Sequence, residues 1–218
     1  MILRWILVGL GMVCVSQGQW YAGGMGGLST LSADGRTVIT RDSTAISLYK
    51  PENGAALSLF AGKHWREYLS VQGMYVWNRN ALQFTETLVE GGRETTFEQK
   101  RTSSQNAGSV DGLLYFRPRA SRFRPYVSGG LGMVRVNSEA GAVVVAKGAV
   151  VLPPERFSAT RVFWRTAVGI DLRVAKGWRF RYSFWETFSA NPFSRELRPR
   201  GQRNLLHFQN MFGFVREF

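Results

Sequence analysis

From Arg161 to Val174 the chain alternates almost without a break. Val162, Trp164, Thr166, Val168, Ile170, Leu172 and Val174 share one parity; Arg161, Phe163, Arg165, Ala167, Gly169, Asp171 and Arg173 share the other. A strand sends successive side chains to opposite faces, so this segment has one apolar face and one face of mixed charge. The pattern returns in Trp178–Phe188, where Trp178, Phe180, Tyr182, Phe184 and Phe188 oppose Arg179, Arg181, Ser183, Trp185 and Thr187. It returns again at Leu206, Phe208, Phe212, Phe214 and Phe218. A helix cannot hold a period of two, so the chain is constrained to β-sheet with two chemically distinct faces.

Working back from Phe218, eight such segments are expected: Trp20–Leu31, Ala55–Gly62, Tyr68–Trp77, Val110–Phe116, Pro125–Val136, Arg161–Val174, Trp178–Phe188 and Leu205–Phe218. Most are long enough for tilted membrane strands, which need about 9–11 residues. The connections alternate in length. Short ones centre on Lys63–Arg66, Arg117–Arg124 and Ala175–Gly177; long ones cover Ser32–Gly54, Arg79–Gly108, Asn137–Thr160 and Ala190–Asn204. An even number of strands with short turns on one side and long loops on the other predicts an all-β fold, an up-and-down antiparallel transmembrane β-barrel of eight strands. Glu90-Gly91-Gly92-Arg93 is expected to be a tight hairpin turn that carries strands three and four beyond the membrane, and Lys147-Gly148 a similar turn in the third loop.

The start of the chain fits export. Met1–Arg4 is short and basic, Trp5–Val15 is apolar, and Ser16-Gln17-Gly18 offers small residues for cleavage, so residues 1–18 are expected to be a signal peptide and 19–218 the barrel. The one cysteine, Cys14, lies within the leader, which removes disulfides and thiolate metal sites from the mature chain. The formal charge is +13, or +12 without Arg4, with 23 arginines against 5 lysines. A basic chain invites a nucleic-acid partner. Export argues against it and favours anionic lipid headgroups or the phosphates of a surface glycolipid.

Two segments carry a family resemblance. Arg124-Pro125-Tyr126-Val127-Ser128-Gly129-Gly130-Leu131-Gly132 resembles the Pro-Tyr, glycine-alternating strand of small OmpA-like outer-membrane β-barrel proteins. Val168-Gly169-Ile170-Asp171-Leu172 followed by Trp178-Arg179-Phe180-Arg181-Tyr182 is similar to that family's sixth-to-seventh hairpin. The resemblance implies a barrel in the outer membrane of a Gram-negative-type bacterium; no peptidoglycan-binding domain is expected after it, since the sequence ends at the terminal strand. It also implies contact with outer-membrane lipids and with the barrel-assembly machinery, for which Phe214 and Phe218 are the expected signal.

Two barrels share this alternation. A soluble lipocalin-like barrel turns its apolar face inward; a membrane barrel turns it outward. Aromatics near the ends of the apolar face, Trp20, Phe116, Trp178 and Phe218 at one end and Trp77 and Phe188 at the other, match interfacial girdles and favour the membrane. Asp111, Arg117, Arg165, Asp171, Arg173, Arg179, Arg181, His207 and Glu217 then point inward, as a self-paired polar network that leaves no open pore. His207 and Ser183 with Asp171 or Glu217 can be drawn as a serine-hydrolase triad, the alternative being a lipid A deacylase-like enzyme. The expected reading is a core histidine and a non-enzymatic, monomeric barrel with a structural or surface-interaction role, needing no cofactor or metal. Arg195, Arg198, Arg200 and Arg203 in the fourth loop are the expected contact for glycolipid phosphates, competing with the acidic second loop at Glu86, Glu90, Glu94 and Glu98.

Overall fold

A computed structural model describes residues 19–32, 34–148, 153–193 and 204–218; the expected leader lies outside them. The strands are β1 (Trp20–Leu31), β2 (Asp34–Ile39), β3 (Ser43–Pro51), β4 (Gly54–His64), β5 (Leu69–Glu90), β6 (Arg93–Tyr115), β7 (Phe123–Lys147), β8 (Arg156–Ala175), β9 (Trp178–Ala190) and β10 (Asn204–Glu217). Eight of them, β1 and β4–β10, close an antiparallel ring in which β10 pairs with β1. Following paired residues once round leads from Tyr21 through Gly62, Gln72, Asp111, Gly130, Arg165, Thr187 and His207 back to β1 at Leu31, ten positions further on. That stagger tilts the strands by roughly 40° and leaves an interior that side chains fill.

The long connections are mostly sheet. The β5–β6 hairpin turns at Gly91 and Gly92, with φ of 53° and 77°, the left-handed conformation that a two-residue turn requires. The segment Ser32–Gly54, expected to be a loop, instead carries β2 and β3. They continue the β1–β4 pairing in one register, from Trp20↔Lys63 to Ile39↔Thr44. Thr37-Val38-Ile39 is a β-branched run and Ala45-Ile46-Ser47-Leu48 alternates small with larger apolar side chains, but both runs are too short to stand out. Against β5 the register slips by one residue, since Ala55 faces Arg79 and Pro51 faces Leu82. This is a bulge, and the buried Asn80 amide ties it by donating to the carbonyls of Ser29 (2.9 Å) and Glu52 (3.1 Å). At the top of the wall Lys147 meets Glu94 at 3.1 Å, and that contact holds the Glu94 carboxyl below its usual range.

The apolar parity faces outward. Leu57, Leu59, Val110, Leu131, Met133, Val162, Val168, Phe212 and Phe214 are exposed around the ring, Leu59 to 67%. On a soluble barrel these side chains would face water; here they form the lipid belt, about 25 Å tall in such barrels. Aromatic pairs run up the β9–β10 seam: Phe180–Phe214, Tyr182–Phe212 and Phe184–Phe208 at 5.7, 5.0 and 6.2 Å. At the periplasmic rim Lys63 lies over Trp20 and Arg216 over Trp178, each at 5.3 Å, an arrangement suited to headgroups. Asn210, polar yet at outward parity, accepts a hydrogen bond from Tyr182 (3.1 Å), as Asn106 does from Tyr75 (2.6 Å).

Candidate functional site

The inward parity of the same strands builds a polar column. Near its base Asp171 on β8 takes two bonds from Arg181 on β9, at 2.6 and 2.7 Å, and a third from the Tyr115 hydroxyl at 3.0 Å. Arg181 also donates to Tyr115 (2.9 Å) and Gln72 (3.1 Å), and Phe60 and Tyr126 flank it at 5.0 and 5.1 Å. A second pair joins Arg165 to Asp111 at 2.7 Å, with Ser109 as a further acceptor and Trp185 at 4.8 Å. The third closes the periplasmic end, where Arg179 meets Glu217 at 2.7 Å and His64 stands 3.5 Å from the same carboxylate. Charge withdrawn from water survives only when it is paired and hydrogen-bonded; all three pairs are so joined, with Asp111 Oδ1 the one carboxylate oxygen among them that is buried without a hydrogen bond.

Seven of the nine residues expected inside lie there: Asp111, Arg165, Asp171, Arg179, Arg181, His207 and, with slight exposure, Glu217. Arg117 and Arg173 do not. β6 ends at Tyr115, so parity no longer aims Arg117, which is exposed with its guanidinium 5.8 Å from the Phe123 ring. A register shift between Arg173 and Ala175 turns Arg173 out to the rim, where it donates to the Arg119 carbonyl at 2.8 Å. Two buried arginines take their place. Arg124 stacks 3.7 Å over Tyr115 and donates to the carbonyls of Arg117 and Glu67. Arg101 holds Gln99 (2.9 Å), Ser138 (3.2 Å) and the carbonyls of Pro154 (2.8 Å) and Glu155 (3.3 Å). Both use carbonyls in place of carboxylates, which is how five inward arginines coexist with three inward acids. Arg124 sits two residues before Tyr126, so counting parity one step further back would have found it. Arg101 lay in a stretch taken for loop.

Above the ion pairs, and below Arg101, the interior is built of neutral polar side chains. His207 Nε2 lies 2.5 Å from Ser29 Oγ, Ser29 donates to Asn80 (3.1 Å), and Gln209 donates to Asn78 (2.7 Å). The drawn triad is not assembled. Ser183 Oγ accepts from the Trp185 indole at 2.6 Å, Asp171 is held by Arg181, and Glu217 by Arg179. Beside His207 is a cavity of about 20 Å³, enough for one water. Above it Tyr49 stacks on Phe193 at 4.8 Å, Phe157 meets Phe193 edge-on at 5.6 Å, and Phe84 meets Phe97 at 5.6 Å, together roofing the barrel. Arg101 ties residues 154 and 155 under this roof. Arg101→Met should therefore speed amide exchange at Glu155, Arg156, Phe157 and Ser158 while leaving exchange in the rest of β8, from Ala159 on, and in β9 unchanged. Uniform exchange across the barrel would show that the tie is not local.

The expected phosphate contacts Arg195, Arg198, Arg200 and Arg203 lie outside the described residues. Phe214 points to lipid, and Phe218 hydrogen-bonds through its amide to the Trp20 carbonyl at 3.0 Å.

Among solved structures, Ail, the attachment invasion locus protein of Yersinia pestis, superposes with a TM-score of 0.51 at 10% identity, over 92% of this chain and 99% of that one. Neisserial surface protein A superposes with a TM-score of 0.53 at 11% identity, over 91% and 97%. Identities this low speak to the fold alone. No match is found among curated protein sequences. The model of the outer membrane protein beta-barrel domain matches residues 7–192. A closed eight-stranded ring, an outward apolar belt and this match agree: the chain belongs to the outer membrane protein beta-barrel domain family and resides in the outer membrane of Gram-negative bacteria.

Proposed function

We propose that this protein is a monomeric, non-enzymatic barrel without an open pore, whose working surface is its extracellular side. The observation that supports this is the filled interior. Three ion pairs occupy the lower half, side-chain amides and His207 the middle, and an aromatic roof the top. Among the described residues, neither a lumen nor a nucleophile that lipid can reach is left inside. The wall meanwhile rises past the belt through β2, β3 and the long β5–β7, as expected where the outer end carries the role. Insertion engages the barrel-assembly machinery through the last strand, with Phe214 and Phe218 as its recognition points.

The partner class that best suits the basic fourth loop is a sulfated or phosphorylated surface glycan, since Arg195, Arg198, Arg200 and Arg203 present guanidinium groups against one acid, Glu196. Ail has been crystallised with the heparin analogue sucrose octasulfate, an anion of this class. Planar-bilayer recordings of the refolded protein should show little steady conductance; a stable, reproducible channel would contradict the filled interior. Retention on a heparin column should fall when the four loop arginines are changed to Ser, and unchanged retention would remove the loop from the proposal. Lipid A from expressing cells should keep its mass, whereas loss of an acyl chain would restore the enzymatic alternative.

A further inference from the structure

The outer wall carries a recess of about 620 Å³ that spans the outward face of β5 to β8. Its floor is small and polar. Arg79, Ser104, Asn137 and Ser158 face one another in a paired row across the four strands, and Trp77, Asn106 and Arg135 form the adjacent row. Arg79 and Arg135 are exposed and make no ion pair or hydrogen bond among the described residues. Arg156 stands at the far side, 3.6 Å from Glu139, so three cations face one anion. An open pair of guanidinium groups over hydroxyl and amide donors is a phosphate-binding arrangement.

The surroundings narrow the source of the phosphate. Continuing toward the periplasm on the same strands, the outward side chains become Tyr75 on β5, Val110 on β6, and Met133 and Leu131 on β7, all exposed to lipid. Trp77, half-buried, marks the boundary, and an indole favours the membrane–water interface. Arg79 and Arg135 therefore stand where the apolar belt gives way to polar wall on the extracellular side. A ligand that fits is amphiphilic, with an anionic head in the recess and chains along the apolar strip beneath it.

We propose that this recess binds the phosphorylated headgroup of an outer-leaflet lipid, with Arg79 and Arg135 as its principal contacts. The site lies on the barrel wall and uses none of the fourth-loop arginines, so it stands or falls independently of glycan binding by them. The test uses the refolded protein in neutral detergent, mixed with lipid A or with dephosphorylated lipid A carrying the same chains, and reads retained lipid by native mass spectrometry. The parent should prefer the phosphorylated form by about tenfold, the equivalent of one or two good guanidinium–phosphate contacts. Arg79→Ala with Arg135→Ala should erase that preference, and Arg79→Lys with Arg135→Lys should restore part of it. Ser104→Trp, which fills the recess without changing charge, should lower retention too. Gel mobility before and after boiling verifies folding of each variant. An undiminished preference in the alanine pair would overturn the proposal, as would displacement of the lipid by millimolar inorganic phosphate, which would mark a site for soluble anions.

Discussion

Asp171→Ala should cost the folded barrel about 3–5 kcal/mol, the usual penalty for stranding one member of a buried ion pair. The substitution removes the acceptor of two Arg181 bonds and of the Tyr115 hydroxyl. Both partners are buried to within 1% of full exclusion, and aromatic rings enclose the guanidinium, so water cannot replace the carboxylate without opening the wall. Urea unfolding in lipid vesicles, followed by tryptophan fluorescence, measures the loss. Arg173→Ala supplies the contrast. That residue is also charged, with the opposite sign, and lies on the same strand, but it is exposed at the rim, and its removal should change stability by no more than about 0.5 kcal/mol. Adding Arg181→Met to Asp171→Ala should recover most of the loss, because an apolar replacement for a whole buried pair is often neutral. Equal destabilisation by Asp171→Ala and Arg173→Ala would show that the interior is wetter than its geometry implies.

The contrast between Asp171 and Arg173 also marks how far the sequence could be read. Strict alternation fixes which side chains share a face, and the aromatic girdles and alternating loop lengths say which face is outward, so the ring, the belt and seven interior residues were legible in the sequence. Parity fails where a strand ends or slips. Arg117 lies beyond the end of β6, and Arg173 next to a register shift, and neither event leaves a mark in local composition. The β2–β3 hairpin was hidden for a different reason. Its runs are short, and they acquire their register by continuing a pairing already set by β1 and β4, a non-local cause. Arg101 shows the same limit. Its partners are a glutamine, a serine and two backbone carbonyls from a distant loop, so no charge pattern announces it. The assembled pairs Arg165–Asp111, Arg179–Glu217 and Arg181–Asp171 could be anticipated as a set, because inward charges must be neutralised. Which arginine meets which acid depends on the stagger of the ring, and that emerges only from the closed structure.

Gly213→Val should sharply reduce the fraction of protein that reaches the closed, heat-modifiable form. Closure depends on β10 meeting β1, and Gly213 faces Met25 in that seam. A side chain at Gly213 would place its Cβ 1.9 Å from the Gly24 carbonyl oxygen and 2.6 Å from Met25 Cα. The obstacle is largely backbone, so the clash cannot be relieved by a rotamer change; the strands must separate. Gly27, whose Cβ would meet the Asn210 carbonyl at 1.9 Å, makes the same demand from β1; in the seam each of these glycines faces a buried methionine, Gly213 facing Met25 and Gly27 facing Met211. Overpacking a core commonly costs about 1–3 kcal/mol. Here the strain falls on the pairing that completes the ring, so folding yield should suffer as well as stability. Gly73→Val is the control: no atom lies within 4 Å of its Cβ position, and a β-branched side chain suits a strand. It should fold at least as well as the parent. The measurement is the fraction shifted on a gel before boiling, together with the urea midpoint, for both variants at equal protein and lipid. If Gly213→Val folds as well as Gly73→Val, the β1–β10 seam has room to spare, and glycine is not what permits the ring to close.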